Sequence, residues 1–268
     1  MLLNQLTDYF NKIVKNFNFV HSNEFLFQIG PLKKYYTEKV IKKVLITQYL
    51  TTETIRNAIK KNCNLILCRF GFDIHHPFQI DEIAQKDLFL LLHNRLMVCL
   101  IPDCFDYLPY GPIPYLANII SLNFSRFLID RTSSLLGAIY QTSKEAPLTP
   151  IIDKLHRNLN LNHVQVFINK HSWVKTFLIC DMNFPPPNLV SCAKYNNCDC
   201  IISAITTPHI LHHLQLYEIS FLHISFHCLI ESSLHKFCNN LSLEFPRIEF
   251  EFYPTKNPLS FIHRKQNH

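Results

Sequence analysis

VLITQYLTTETIRNAIKKNCNLILC, Val44 to Cys68, contains a complete strand, helix and strand, and the rest of the chain is best read outward from it. Val44 to Thr47 is a short β-rich run. Thr51 suits an N-cap, with Glu53 in the first turn near the positive helix end, and Ile55, Ala58 and Ile59 form an apolar stripe at i, i+3, i+4. Asn62 and Asn64 close that helix, and Leu65-Ile66-Leu67 is a continuous apolar run. Two such runs joined by one short helix pair in parallel through a right-handed crossover. The residues after Cys68 then fall at the carboxyl edge of the sheet, where ligands of open α/β sheets collect.

The same alternation extends in both directions. MLLNQLTDYFNKIVKNF places Leu3, Leu6, Phe10, Ile13, Val14 and Phe17 on one face of a packed N-terminal helix, and Phe25 to Ile29 reads as a strand. After the opening unit, Arg69 to Ile80 reads as a loop, Asp81 to Arg95 as a helix capped by Asp81, and Leu96 to Ile101 as a third strand. The turn-rich DCFDYLPYGPIP then leads to a helix over Tyr115 to Leu122. The stretch from about Ser125 to Pro150 is the least patterned, and the boundary between two lobes, 1–130 and 131–268, is placed there. Beyond it, helices are expected over 151–159, 188–195, 208–216 and 229–240, and strands over 164–168, 176–180, 199–204, 219–226 and 248–253. The order implies an α/β protein of two lobes with mostly parallel mixed sheets.

Composition narrows the function classes. Ten cysteines without a close CxxC pair read as reduced thiols in a cytosolic or organellar compartment rather than a disulfide framework, and a cytoplasmic protein is expected, with a mitochondrial or nuclear pool left open. Asp8 and the lack of arginine near the N-terminus argue against a transit peptide. The longest apolar stretch, Leu88 to Ile101, is interrupted by His93, Asn94 and Arg95, short of the roughly 20 apolar residues of a membrane span, so a soluble protein is expected. A net charge of +6 over 268 residues is mild, and its lysine pairs are scattered, which speaks for solvated faces rather than a nucleic-acid stripe. The four glycines lie too far apart to build a P-loop or a dinucleotide fingerprint.

His227 and Glu231 stand four apart where a strand gives way to a helix, so imidazole and carboxylate share a face and can grip one cation; an ordinary surface hydrogen bond gives the same spacing. Asp106 follows the third strand at a sheet edge, although Asp103 and Asp106 also fit Asx turns in a proline-rich loop. His75-His76-Pro77 is an adjacent histidine pair on a loop, and His212-His213 is another; with 15 histidines in the chain, one such pair is close to expectation. No GxSxG and no HExxH occur, and no cysteine is singled out as a nucleophile.

Over most of its length the chain resembles the NGG-interacting factor three-like family, whose bacterial members are often labelled GTP cyclohydrolase type 2 homologues. LITQYLTTETIRNAIKKNCNLILC is similar to the family's first strand, helix and second strand, and HNRLMVCLIPDCFDYLPYGPIPYLANII to its next strand and His-Thr-x-x-Asp segment. WVKTFLICD matches a mid-chain strand, CDCIISAITTPHILHHLQLYEISFLHISFHCLIES the late strand, helix and strand with Gly-His-x-x-x-Glu, and EFYPTKNPLSF the closing strand. The resemblance implies divalent metal ligation, by zinc, iron or manganese, through Asp106, His227 and Glu231. The family's histidine pair after the second strand is replaced by Arg69 and Phe70, unless His75 and His76 restore it through an insertion. Pro102 stands at the His of His-Thr-x-x-Asp, Phe226 at the Gly of Gly-His, and Tyr49 at a usual acidic position.

A two-metal site needs enough anionic and imidazole ligands to offset about four charges. Arg69 opposes this with a fixed positive charge and would favour phosphate or carboxylate in the same pocket. The reading is therefore a family-like fold with a degraded metal site, metal being absent or at reduced occupancy. Function then runs through protein contacts, with a regulatory partner and assembly into a homo-oligomer. The alternative is a metal-dependent hydrolase using Asp106, His227 and Glu231, with His75 or His76 added.

Overall fold

The computed structural model describes residues 1–15, 24–72, 82–129, 135–161, 163–169, 173–180 and 188–257. The first half comprises α1 (Leu3–Val14), β1 (Leu26–Ile29), β2 (Lys43–Tyr49), α2 (Thr52–Lys60), β3 (Leu65–Phe70), α3 (Glu82–His93), β4 (Met97–Leu100) and α4 (Pro112–Ile119). There follow β5 (Asn123–Ile129), β6 (Leu135–Pro147), α5 (Leu148–Leu159), β7 (Gln165–Phe167), β8 (Trp173–Cys180) and α6 (Leu189–Tyr195). The chain continues through β9 (Cys200–Ser203), α7 (Pro208–Tyr217), β10 (Ser220–His223), α8 (Phe226–Glu244) and β11 (Glu249–Phe252).

The opening unit forms as its sequence requires. The Thr51 hydroxyl accepts from the Thr54 amide at 3.2 Å, the Thr54 hydroxyl accepts from the Thr51 amide at 2.8 Å, and α2 starts there. β2 and β3 pair in parallel with Val44 opposite Leu65 and Thr47 opposite Cys68. Both strands run further than their apolar cores suggest. Tyr49 lies opposite Phe70, and the Leu50 amide donates to the Phe70 carbonyl at 2.8 Å, so Arg69 and Phe70 are strand rather than loop. The proposed cap Asp81 lies outside the described residues.

The first sheet has the order β1-β4-β3-β2-β11. β4, β3, β2 and β11 are parallel, and β1 closes one edge antiparallel. Alternation along β2 separates the faces: Val44 and Ile46 pack with Leu3, Leu6 and Phe10 of α1 and Ile230, Leu234 and Phe237 of α8, while Leu45 packs with Ile55 and Ala58 of α2. Fully burying one such aliphatic side chain contributes about 1.5–3 kcal/mol, and this burial, with the Leu2 amide donating to Gln5 Oε1 at 3.1 Å, holds the N-terminal helix although Leu2 has no capping side chain.

The second sheet runs β5-β6-β8-β9-β10-β7, with β8, β9 and β10 parallel and the others antiparallel. The segment that reads as least patterned holds β5 and the long β6, paired with one another. Its signal is blurred for two reasons. Register shifts break the alternation of β5 and β6, and Gly137, at φ 155°, runs so close to the backbone of β8 that a Cβ would overlap it. α4 and α5 cover one face of this sheet and α6 and α7 the other.

β10 stops at His223, earlier than its apolar run suggests, because the Ser225 hydroxyl accepts from the Cys228 amide at 3.4 Å and begins α8 at Phe226. Through Leu229, α8 also joins the core of the second sheet, so this one helix packs on both sheets. Among the described residues no helix is long and apolar enough to cross a membrane.

Candidate functional site

The carboxyl ends of β2, β3 and β4 deliver the residues singled out by sequence. Arg69 is the penultimate residue of β3, and its side chain is 1% exposed. From there Nη1 donates to the Ile101 carbonyl at 3.0 Å, and Nη2 lies 2.9 Å from Asp103 Oδ1 and 3.3 Å from Asp106 Oδ1. Both aspartates sit on the 3-10 turn Asp103–Tyr107 that follows β4, where neither caps the turn as an Asx residue would. Asp106 is fully buried, whereas the Asp103 side chain is 43% exposed.

This turn is held rigidly. Gly111 donates its amide to the Leu108 carbonyl at 2.7 Å, and a Cβ on it would overlap the Phe105 carbonyl oxygen, so only glycine allows the return of the chain. Cys104, between the two aspartates, has its thiol pushed up to about 12 by burial, against the opposing pull of Arg69.

His227 and Glu231 occupy the first two turns of α8. The Glu231 carboxylate accepts three hydrogen bonds from one residue beyond β11: the Thr255 hydroxyl at 2.6 Å and the Thr255 amide at 3.2 and 3.3 Å. Burial raises its pKa, while the Thr255 bonds and His227 act in the opposite direction. The His227 ring lies parallel to Tyr49, 6.3 Å between centroids and 8° between planes, and Tyr49 stacks in turn on Phe70 at 5.4 Å. The Gln48 side-chain amide donates to the Tyr49 hydroxyl at 3.2 Å. His227 Nδ1 is buried without a hydrogen-bond partner among the described residues. Tyr49, Phe70 and Thr255 line a cleft of about 650 Å3 at the N-terminus of α2, bounded also by Glu53, Tyr253 and Lys256.

The structure thus brings His227 and Glu231 onto one helix face and places Asp106 on the Arg69 ion pair. Among the described residues no group of three or more His, Cys, Asp or Glu is arranged to hold a metal ion. His75 and His76 lie outside the described residues. The described donors do not fit a two-metal centre: a guanidinium faces the Asp106 carboxylate, and both Glu231 oxygens already accept from Thr255.

Two sequence readings are corrected. Arg69 does not present its charge to an incoming phosphate or carboxylate, because its side chain is buried on Asp103, Asp106 and the Ile101 carbonyl. Its place in a run that alternates into the sheet was the signal for burial, obscured when the strand was ended at Cys68. Thr255 was not foreseen as the partner of Glu231, since a contact across 24 positions leaves no local pattern.

Comparison with known proteins agrees with this architecture. A crystal structure of a Bacillus cereus protein related to NIF3 superimposes with a TM-score of 0.75 at 12% identity, covering 98% of this chain and 99% of that one. Staphylococcus aureus hypothetical protein SA1388 gives 0.78 at 15% identity, covering 98% and 99%. In sequence, a GTP cyclohydrolase 1 type 2 homolog of Clostridium acetobutylicum is 20% identical over 165 residues, 59% of this chain, and the match spans 61% of that relative's length. The family model for Duf34/NIF3 (NGG1p interacting factor 3) matches residues 1–258, a span that takes in both sheets, the Arg69 ion pair and the Glu231–Thr255 contact. The chain belongs to the Duf34/NIF3 family.

Proposed function

We propose that this chain is a non-catalytic member of its family that acts through protein contacts, with the region of the family's metal site rebuilt around a fixed organic cation. The observation that carries this reading is the buried Arg69 guanidinium at 2.9 and 3.3 Å from Asp103 and Asp106. A positive charge held there repels a second cation, and in a site with an effective dielectric constant near 20 two like charges about 4 Å apart repel by roughly 4 kcal/mol. The carboxylate that sequence aligns with a metal ligand is neutralised without one. Edge strands with exposed apolar side chains, Phe124 and Ile129 on β5 and Val166 on β7, suit contacts with a second copy of the chain or with a regulatory partner.

A second reading, metal-dependent hydrolysis of the kind suggested by the name of the Clostridium acetobutylicum relative, is favoured by the buried His227 Nδ1, which has no hydrogen-bond partner among the described residues. Elemental analysis of the purified full chain separates the two. The first reading expects no zinc, iron or manganese that depends on His227, so that wild type and His227→Ala carry the same metal content. Two equivalents of metal that disappear in His227→Ala would overturn it in favour of the second.

A further inference from the structure

We propose that His209 and His213 of α7 form an exchangeable chelating site for a late divalent transition ion, Cu2+ ahead of Zn2+. The sequence draws attention to His212 and His213 because they are adjacent, but neighbours on a helix point apart. The structure pairs His213 with His209 instead, one turn earlier, with ring centroids 4.0 Å apart and planes tilted by 33°. His212 meets His213 edge-on at 5.8 Å and 65°.

Three features turn this pair into a site. First, the backbone under it is fixed: the Thr207 hydroxyl accepts from the Ile210 amide at 3.2 Å, Pro208 opens the helix, and Ile210 and Leu214 are buried in the core of the second sheet. Second, His213 is sandwiched between His209 and Tyr217, the latter 5.9 Å away, and its Nδ1 is buried with no hydrogen-bond partner among the described residues, while the ring of His209 packs against it from the other side. Third, the pair is reachable from solvent, His209 being exposed and His213 half-buried.

Histidines at i and i+4 on a helix can place both nitrogens on one ion at bond lengths of about 2.0–2.1 Å. No third His, Cys, Asp or Glu completes the set among the described residues, so water fills the remaining positions and the ion exchanges readily. Imidazole donors with open positions favour Cu2+ over Zn2+ and Ni2+ in the usual order of divalent affinities. The site stands on α7, outside the Arg69 and His227 region, and does not depend on how that region functions.

The test is equilibrium dialysis of the chelator-stripped full chain against CuCl2 and ZnCl2 near neutral pH, with electron paramagnetic resonance of the copper form. One saturable Cu2+ with a two-nitrogen superhyperfine pattern is expected, weakened about tenfold or more in either His209→Ala or His213→Ala because a chelate becomes a single ligand. His212→Ala and His227→Ala should leave it within about twofold. Absence of saturable copper binding, or binding that survives the His209→Ala/His213→Ala double substitution, overturns the proposal. Copper lost in His227→Ala but kept in His209→Ala overturns it too, and would count instead for the hydrolase reading. His209 is exposed and His213 half-buried, and far-UV circular dichroism checks that the variants fold.

Discussion

Replacing Arg69 by methionine keeps an unbranched apolar stem and removes the guanidinium that lies 3.3 Å from the fully buried Asp106 carboxylate. Removing one partner of a buried ion pair costs about 3–5 kcal/mol, and the lower end applies here because Asp106 has interactions besides Arg69. The Ile101 carbonyl loses its 3.0 Å donor as well, adding about 1 kcal/mol, whereas Asp103, with 43% of its side chain exposed, regains water and adds little. Arg69→Met should therefore destabilise the chain by about 4 kcal/mol, Asp103→Asn by less than about 1 kcal/mol, and Arg69→Met/Asp106→Leu by much less than Arg69→Met alone, because replacing both charges removes the desolvation cost. Urea unfolding followed by far-UV circular dichroism reads this directly, with the midpoint of Arg69→Met lowered by roughly 1 M or more. If Arg69→Met cost under about 1 kcal/mol, or Asp103→Asn cost as much, the pair would not be the electrostatic centre of the site and the proposal built on it would fail.

Three further outcomes follow from the packing. Gly111→Ala forces a methyl into the Phe105 carbonyl and should cost about 3 kcal/mol in the same urea assay; a loss within about 0.5 kcal/mol would mean that the Asp103–Tyr107 turn yields easily. Of the ten cysteines, only Cys192 and Cys228 are half-buried, so a disulfide reagent should label at most two thiols quickly in native protein and all ten in urea; fast labelling of a third would contradict the buried placement of Cys68, Cys99 or Cys200. His223, whose imidazole is held below its usual value by burial, against a 3.1 Å hydrogen bond to the Ala204 carbonyl that acts the other way, should make stability decrease as pH is lowered. The unfolded chain takes up a proton near pH 6.5 that the folded chain does not, so stability is lost as pH drops below that value and levels off below the folded pKa. His223→Gln should flatten this stretch of the stability curve, and parallel curves for wild type and variant would refute the assignment.

Much of the fold was legible because its signals are short-range. Thr51 and Thr54 cap α2 through neighbours three residues apart, Pro208 and Thr207 start α7 in the same way, and the apolar runs of β2, β3 and β9 are continuous enough to read without context. Failures occurred where a residue belongs to an element for a reason outside its own segment. Arg69 is strand because Tyr49 lies opposite Phe70, and β5 and β6 are strands although glycine and register shifts interrupt their alternation. The candidate site was legible in residue type only: Asp106, His227, Glu231 and Arg69 were named, but not the burial of Arg69 on Asp106 nor Thr255 as the partner of Glu231.

The amino-acid sequence by itself determined the α/β class, the parallel pairing of Val44–Thr47 with Leu65–Cys68, the family resemblance and the replacement of a histidine pair by Arg69 and Phe70. These depend on periodicity, capping and residue identity, which act over a few positions. Only the tertiary structure decided that Arg69 faces Asp106, that Glu231 is held by Thr255, and that β11 returns beside β2. Each of these is a matter of which side chains packing brings within about 4 Å, and that is set by the register of sheets and the rotation of helices rather than by any local run of residues.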